Sequence, residues 1–380
     1  VKPLQNLLVL DFSQFLAGPS AALRLADLGA TVIKIERPNG GDICRQLYVT
    51  NLELDGDSTL FHTINRNKRS YAADLKNPEH LMRVKKLIAR ADVMIQNFRP
   101  GVMKKLGLDS AAVQAINPRI VYGSVTGYGE EGPWADLPGQ DLLAQSRSGL
   151  LWLTGNADDG PMPIGLSVAD MMAGAHLVQG ILAALVQRGV TGRGGTVDVS
   201  LLESILDLQF EFLTTHLNDG GLLPQRGAVN SASAYLAAPY GVFQTGDSHL
   251  ALAMGAIPTL GHLLDCPTLL VYTDPKGWFT QRDQIKTILT KHLRQQPNAY
   301  WLARLEAADY WCAPVMNWKE LLEHDAFKAL DFLQTVHRDN GSSLLTTRCP
   351  IRMDGQRLKA GRGAPIVGEH NSSIDKEFDL

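Results

Sequence analysis

The feature that most constrains this chain is an early alternation of strand-like apolar runs with helical ones. Residues 7–36 read LLVLDFS, then AALRLADLG, then TVIKIE. A nearly continuous apolar run of this length suits a strand buried on both faces of a parallel sheet. Gly18-Pro19-Ser20 opens the intervening helix and Gly29 stops it. The alternation continues through NRNKRSYAADLKNPEH (65–80), DVMIQNFRPG (92–101) and IVYGSVTGYG (120–129). Such an order predicts an α/β layer around a largely parallel sheet. Glu36 ends the second strand, where a dinucleotide-binding fold keeps an acidic residue. The phosphate fingerprint G-x-G-x-x-G is nevertheless missing after the first strand, and Pro19 removes a backbone N–H that a phosphate would use. That argues against NAD or FAD.

Composition narrows the classes further. With 380 residues the chain is long enough for two domains. Its 36 basic and 39 acidic side chains nearly cancel, giving no reason to expect nucleic acid as a partner. Cys44, Cys266, Cys312 and Cys349 are scattered, with neither a C-x-x-C pair nor matching histidines. This predicts no metal site and a reducing compartment. The apolar run in VKPLQNLLVLDF is too short for a signal peptide, so the expected location is the cytoplasm. The apolar stretch 171–186 contains His176 and Gln179 and is expected to be a buried core helix, not a membrane span.

That helix is preceded by PMPIGLSVAD, in which Ser167 stands three residues before Asp170. One reading is a capping box, with Ser167 as N-cap and Asp170 returning the hydrogen bond. The other makes Asp170 a nucleophile, since a helix N-terminus favours the charged carboxylate and carboxylates form covalent intermediates. Serine hydrolase chemistry is disfavoured, because Gly165-Leu166-Ser167-Val168-Ala169 lacks the final glycine of a nucleophile elbow. His176 lies six residues on, about 240° around the helix, and cannot sit beside Asp170.

Four cations, Arg37, Lys76, Arg99 and Lys105, fall at or just beyond the carboxyl ends of expected strands. Open α/β sheets bind ligands there. With Phe98 available to stack on a base, they point to an anionic, nucleotide-like ligand. Farther on, GVTGRGGTVDVS (189–200) is a glycine turn into a strand, and LLESILDLQFEFLTTHL is an amphipathic helix. NDGGLLPQRG marks a domain boundary near 224. A hairpin around Thr245-Gly246-Asp247-Ser248 follows.

An ordered set of short motifs resembles the family III CoA-transferases, a group that includes formyl-CoA and carnitine CoA-transferases and α-methylacyl-CoA racemases. The set comprises Leu16-Ala17-Gly18-Pro19, Val32 to Pro38, Asn67-Lys68-Arg69-Ser70, Asp74-Leu75-Lys76 and Asn97-Phe98-Arg99-Pro100-Gly101. Gly127-Tyr128-Gly129, Gly132-Pro133, Ala313-Pro314-Val315 and Gly368-Glu369-His370 complete it.

The resemblance implies a Rossmann-like large domain plus a small α+β domain, with two ring-like subunits interlocked as a homodimer. The large CoA-binding domain would take 1–200 and, on the chain's return, 325–380. Residues 201–223 would form a linker helix and 224–324 the small domain. It further implies Asp170 as nucleophile, passing through an anhydride and an aspartyl-CoA thioester as CoA moves from an acyl-CoA donor to a carboxylate acceptor. By position, CoA would meet Leu16, Ala17, Arg37, Ala73, Asp74, Leu75, Lys76, Asn97, Phe98, Arg99 and Lys105. Coenzyme A is then a substrate, and no tightly bound cofactor is expected.

Gln140, Asp141 and Gly255 would fall in the substrate pocket. The chain departs from formyl-CoA transferases at Leu16, where those carry a glutamine, and at Ala253-Met254-Gly255-Ala256, where their loop is richer in glycine. Two alternatives stay open: a 2-methylacyl-CoA racemase, or an inactive CoA-binding protein on the same scaffold. The racemase branch has a histidine 30 residues before the aspartate, whereas here that position is Gln140, which cannot exchange a proton. Asp141 is expected to point away from it.

Overall fold

The computed structural model describes residues 2–47 and 52–380. The alternating pattern produces β1 (Leu8–Asp11), α1 (Ala17–Asp27), β2 (Thr31–Glu36), α2 (Thr59–Asn65), β3 (Arg69–Ala72), α3 (Pro78–Ile88) and β4 (Val93–Gln96). It continues with α4 (Val102–Lys105), α5 (Ser110–Ile116), β5 (Val121–Thr126), α6 (Asp141–Arg147), α7 (Val168–Thr191) and β6 (Gly195–Ser200). The six strands pair in parallel in the order β3-β2-β1-β4-β5-β6. This is the doubly wound order in which the winding reverses between the first and fourth strands. At that reversal, Asp11 sits opposite Lys34 on one side and Ile95 on the other.

Leu10, Ile33, Tyr71, Leu87, Met94 and Tyr122 meet in one fully buried cluster beneath the crossover helices. Each such large apolar side chain stabilises the fold by roughly 1.5–3 kcal/mol. Local signals set the helix starts. Asn77 accepts the N–H groups of Glu79 and His80, with Pro78 in the first turn of α3.

Two compact units emerge. The first comprises Val1–Ala144, Ser167–Leu208 and Asp331–Leu380, and the second Gln145–Leu166 and Gln209–Leu330. Residues 145–166, grouped by the sequence reading with the first 200, thus pack in the second unit. The carboxyl-terminal return to the first unit is fastened at β3. Asn371 exchanges hydrogen bonds with both backbone groups of Ala72, His370 Nδ1 accepts the N–H of Ser70, and Tyr71 donates to Asp375.

The second unit holds an antiparallel three-stranded sheet, Cys312–Pro314 beside His249–Leu252 beside Gly241–Gln244. The expected hairpin around residues 245–248 is therefore present. Its core gathers Phe243, Leu250, Leu260, Ile285, Leu289, Trp301 and Leu305.

Two expectations need correction. The stretch 171–186 is not wholly buried: α7 buries Ala169, Ala173, Gly174, Leu177, Val178 and Ile181 but exposes Met171, Val186 and Val190. Gly174 lets α7 approach α1 so closely that a Cβ would collide with Ser20. By length and apolarity alone α7 would suffice to cross a membrane, yet one face of it packs on α1 and the sheet. The single amphipathic helix expected after residue 200 is two, α8 (Leu201–Leu208) and α9 (Phe210–Asn218). Gln209 interrupts them with non-helical angles, φ −101° and ψ 9°.

Candidate active site

The carboxyl end of β1 is built on buried charge. Asp11 Oδ1 accepts the N–H and hydroxyl of Ser13, while Oδ2 accepts Lys68 Nζ at 2.8 Å. Lys68 also donates to Pro19 O at 2.8 Å and Asn65 Oδ1 at 2.9 Å. Lys34 Nζ lies 2.8 Å from Asp42 Oδ2 and donates to Ser13 O at 2.8 Å. These two lysines and two aspartates are all fully or almost fully buried and sum to zero charge. Burial alone would push the Asp11 carboxyl up, but Lys34 and Lys68 outweigh it and hold the group below the usual carboxylate range. Burial wins at Lys68, whose ammonium is pulled down to about 8. Beside them Glu36 takes a bidentate grip from Arg45, at 2.8 and 2.9 Å, and a hydroxyl from Ser70 at 2.7 Å.

Over this floor opens a cavity of about 320 Å³ at the carboxyl edge of the sheet, where the strand order reverses. Phe98, Leu75, Ala73, Val102 and Leu106 supply apolar walls, and Arg37, Lys76 and Lys105 supply cations. Asp74 also lines it; its carboxylate accepts the backbone N–H of Lys76 at 3.0 Å, shaping the turn. The remaining sequence candidates stand elsewhere. Asn97 clasps the backbone of Gln14 in both directions, at 2.8 and 2.7 Å, and so fixes the loop after β1. Leu16 packs toward Cys44, Phe61, Ile64 and Ala364, and Ala17 is a buried first residue of α1. Arg99 is exposed and outside the cavity wall.

The start of α7 also departs from the capping-box reading. Ser167 occupies the N-cap position but its side chain makes no capping bond. The backbone N–H of Asp170 instead donates to Asp141 Oδ2 at 3.0 Å, a partner 29 residues earlier. Asp141 therefore points toward Asp170, contrary to the expectation from helix phase. The adjacent Gln140 is exposed and closes the first turn of α6 through its carbonyl. Because a carboxylate already takes up part of the positive helix end, the dipole gives Asp170 less help than expected. Burial, joined by the negative charge of Asp141, pushes the Asp170 carboxyl up to about 7. His176 pairs with Asp207 at 3.2 Å. Gly255 belongs to the second unit, where a Cβ on it would collide with the Tyr310 hydroxyl.

Comparison with known proteins decides the family. Residues 4–371 match the sequence model of CoA-transferase family III. The chain belongs to that family. Succinate–glutarate CoA-transferase of Agrobacterium fabrum is 31% identical, with 99% of this chain and 96% of that protein covered. Formyl-CoA:oxalate CoA-transferase of Streptomyces coelicolor is 32% identical over 98% and 94% of the two chains. A CAIB/BAIF family protein from Brucella suis has the same fold, with a TM-score of 0.85, 30% identity and full coverage of both chains.

Sequence reasoning missed several parts of this CoA-transferase. Phe12, Ser13, Gln14, Lys34 and Asp42 all line the cavity. One signal was available: Lys34 interrupts an otherwise apolar buried strand, and a buried lysine requires a nearby acid. Two acids answer it: Asp42 at 2.8 Å and Asp11, at the end of the neighbouring strand, at 3.8 Å.

Proposed function

We propose that this CoA-transferase moves coenzyme A from an acyl-CoA thioester to a carboxylic acid by covalent catalysis at Asp170. The observation that carries the reading is the Asp170 carboxyl itself. It lies at the start of α7, half-buried, with a pKa raised to about 7 beside the Asp141 carboxylate and, among the described residues, no ion-pairing cation. A carboxylate so placed is a stronger nucleophile than a solvated one and still ionises near neutrality.

An Asp170 oxygen attacks the thioester carbonyl, the C–S bond breaks, and CoA leaves as thiolate, giving a mixed anhydride. The thiolate then attacks the Asp170 carbonyl and expels the donor acid as its carboxylate. The acceptor carboxylate attacks this aspartyl-CoA thioester and releases thiolate again. Attack of that thiolate on the acceptor's acyl carbon forms the new thioester and returns Asp170. Every step exchanges one anion for another, so no general base or further cofactor is required. The nucleotide end of CoA occupies the cavity over β1, with its base on Phe98 and its phosphates against Arg37, Lys76 and Lys105.

Succinate and glutarate, the acids named for one relative, are the first donor and acceptor pair to test. Hydroxylamine trapping during turnover, read by intact-protein mass spectrometry, should modify Asp170. Asp170→Asn should lower transfer by more than about 10⁴-fold while the protein still binds CoA. Normal turnover by Asp170→Asn would sink the reading.

The transferase works as an interlocked homodimer in the cytoplasm. Supporting the dimer, α9 has no buried residue and exposes Phe210, Leu213 and Leu217, while α7 exposes Met171, Val186 and Val190. Such apolar faces suit a second copy of the chain. Four free cysteines, three of them buried, fit a reducing compartment.

A further inference from the structure

The chain between β5 and α6 closes on itself before it delivers Asp141. It leaves β5 at Thr126, runs out through a mostly exposed loop over 130–138, and comes back at Gly139, next to Gln140 and the first turn of α6. Loops whose ends meet in this way are packed by their own side chains. Here Tyr128 packs edge-on against Trp134, ring centroids 6.1 Å apart, and donates to the carbonyl of Pro138 at 3.4 Å.

At the neck of the loop the two backbones touch. A Cβ on Gly127 would stand 2.5 Å from the Gly139 Cα, and one on Gly139 would run into the Gly127 Cα. Neither glycine has a positive φ, so turn geometry asks for neither of them. Close approach alone keeps a side chain out of both positions.

One side of the neck is anchored and the other can give. The Gly127 carbonyl accepts the N–H of Leu202 in α8 at 3.1 Å, and Thr126 Oγ1 accepts the N–H of Gly129 at 2.9 Å. Thr126 is itself in register with Ser200 on β6. Gly139, by contrast, is exposed and runs straight into Gln140 and Asp141. Anything forced into the neck therefore displaces the start of α6. With it moves the Asp141 carboxylate, which accepts the Asp170 N–H at 3.0 Å.

On the reading of Asp170 as the nucleophile, we propose that Gly127 and Gly139 are positioning residues of the transferase. Their contact, free of side chains, sets the Asp141 carboxylate against the start of α7 and so fixes how Asp170 is presented. Burial and Asp141 are what raise the Asp170 carboxyl. Retreat of Asp141 leaves burial alone and frees the positive end of α7 for the Asp170 carboxylate, and both changes favour its charged form.

Gly139→Ala and Gly127→Ala open the neck from opposite sides, so one serves if the other fails to fold. Each should lower kcat by about 10-fold or more, as small misplacements of reacting groups do. KM for acyl-CoA should stay within about 2-fold, because among the described residues none from 127 to 141 lines the cavity over β1. The acid limb of kcat/KM should move to lower pH, as in Asp141→Asn, and Gly139→Ala should move it no further when added to Asp141→Asn. Trp134→Ala loosens the loop but leaves the neck intact, and should keep the wild-type limb. Hydrogen exchange at the Asp170 amide, read by mass spectrometry, should quicken in both glycine variants, whatever Asp170 does in the reaction. An acid limb that stays put in the glycine variants overturns the inference, as does an equal shift with and without Asp141 or an Asp170 amide that exchanges at the wild-type rate. Quickened exchange, in an enzyme whose wild type gives no hydroxylamine adduct at Asp170, would instead remove the nucleophile assignment beneath it.

Discussion

Two carboxylates in the first unit, Asp11 and Asp170, are treated in opposite ways. Asp11 is fully buried, yet Lys34 and Lys68 keep it charged and below the usual range. Asp170 is only half-buried, yet burial and the like charge of Asp141 raise it to about 7. The first has its charge fixed by compensation and anchors Ser13, which lines the cavity over β1. The second is left uncompensated, which costs folding energy, and it is the group proposed as the nucleophile. Charge compensation thus separates the part of the site that holds from the part proposed to react.

The largest effect expected from breaking this contrast is at the compensated end. Lys68→Met removes the cation between Asp11, Asn65 and Pro19 and leaves the buried Asp11 carboxylate facing Lys34 alone, at 3.8 Å. Unfolding free energy should fall by about 3–5 kcal/mol, read by denaturant titration. Adding Asp11→Asn to Lys68→Met should restore part of that stability, because the under-compensated charge is gone. A fully additive double mutant would show that the two groups do not interact as drawn.

A smaller effect separates the cations that line the cavity from one that does not. Arg37→Ala and Lys105→Ala should each raise the KM for acyl-CoA by about 5- to 10-fold with little change in kcat, as partly solvated charge-assisted contacts do. Arg99→Ala should change KM by less than about 2-fold, the expectation for an exposed charge outside the wall. Equal effects at all three positions would mean that the site extends beyond the cavity described.

What was legible in the sequence follows from which physical rules are local. The alternation of strands and helices and the placement of Arg37, Lys76, Phe98 and Lys105 near strand ends could be read because buried parallel strands are continuous apolar runs. The role of Asn97 was not legible, since it holds Gln14, a residue 83 positions away. The cap of α7 was misread for the same reason. Ser167 has the right identity and spacing for a capping box, but Asp141 arrives from another segment and takes the Asp170 N–H. The break at Gln209 carries no glycine or proline to announce it. In each miss a tertiary partner outweighed a sound local preference.

The mildest perturbation bears on why Asp170 is raised at all. Burial is the larger cause and Asp141 the second. Asp141→Asn removes the negative charge but keeps a side-chain oxygen to accept the Asp170 N–H, so the start of α7 should survive. If deprotonated Asp170 is the nucleophile, kcat/KM for acyl-CoA should rise with pH through a midpoint near 7 in the wild-type enzyme. In Asp141→Asn the midpoint should move to lower pH, by about one unit, yet stay above 3.8 because burial still acts.

Stability should carry the same signature with the opposite slope. A carboxyl raised from 3.8 to about 7 binds its proton more tightly when folded, so its contribution to stability falls as pH rises between those values. Asp170→Asn should therefore be more stable than wild type at pH 8, on the order of 2 kcal/mol, and show no such advantage near pH 4. An acid limb that does not move in Asp141→Asn would leave burial as the sole cause. A stability difference independent of pH would remove the raised Asp170 carboxyl from the account altogether.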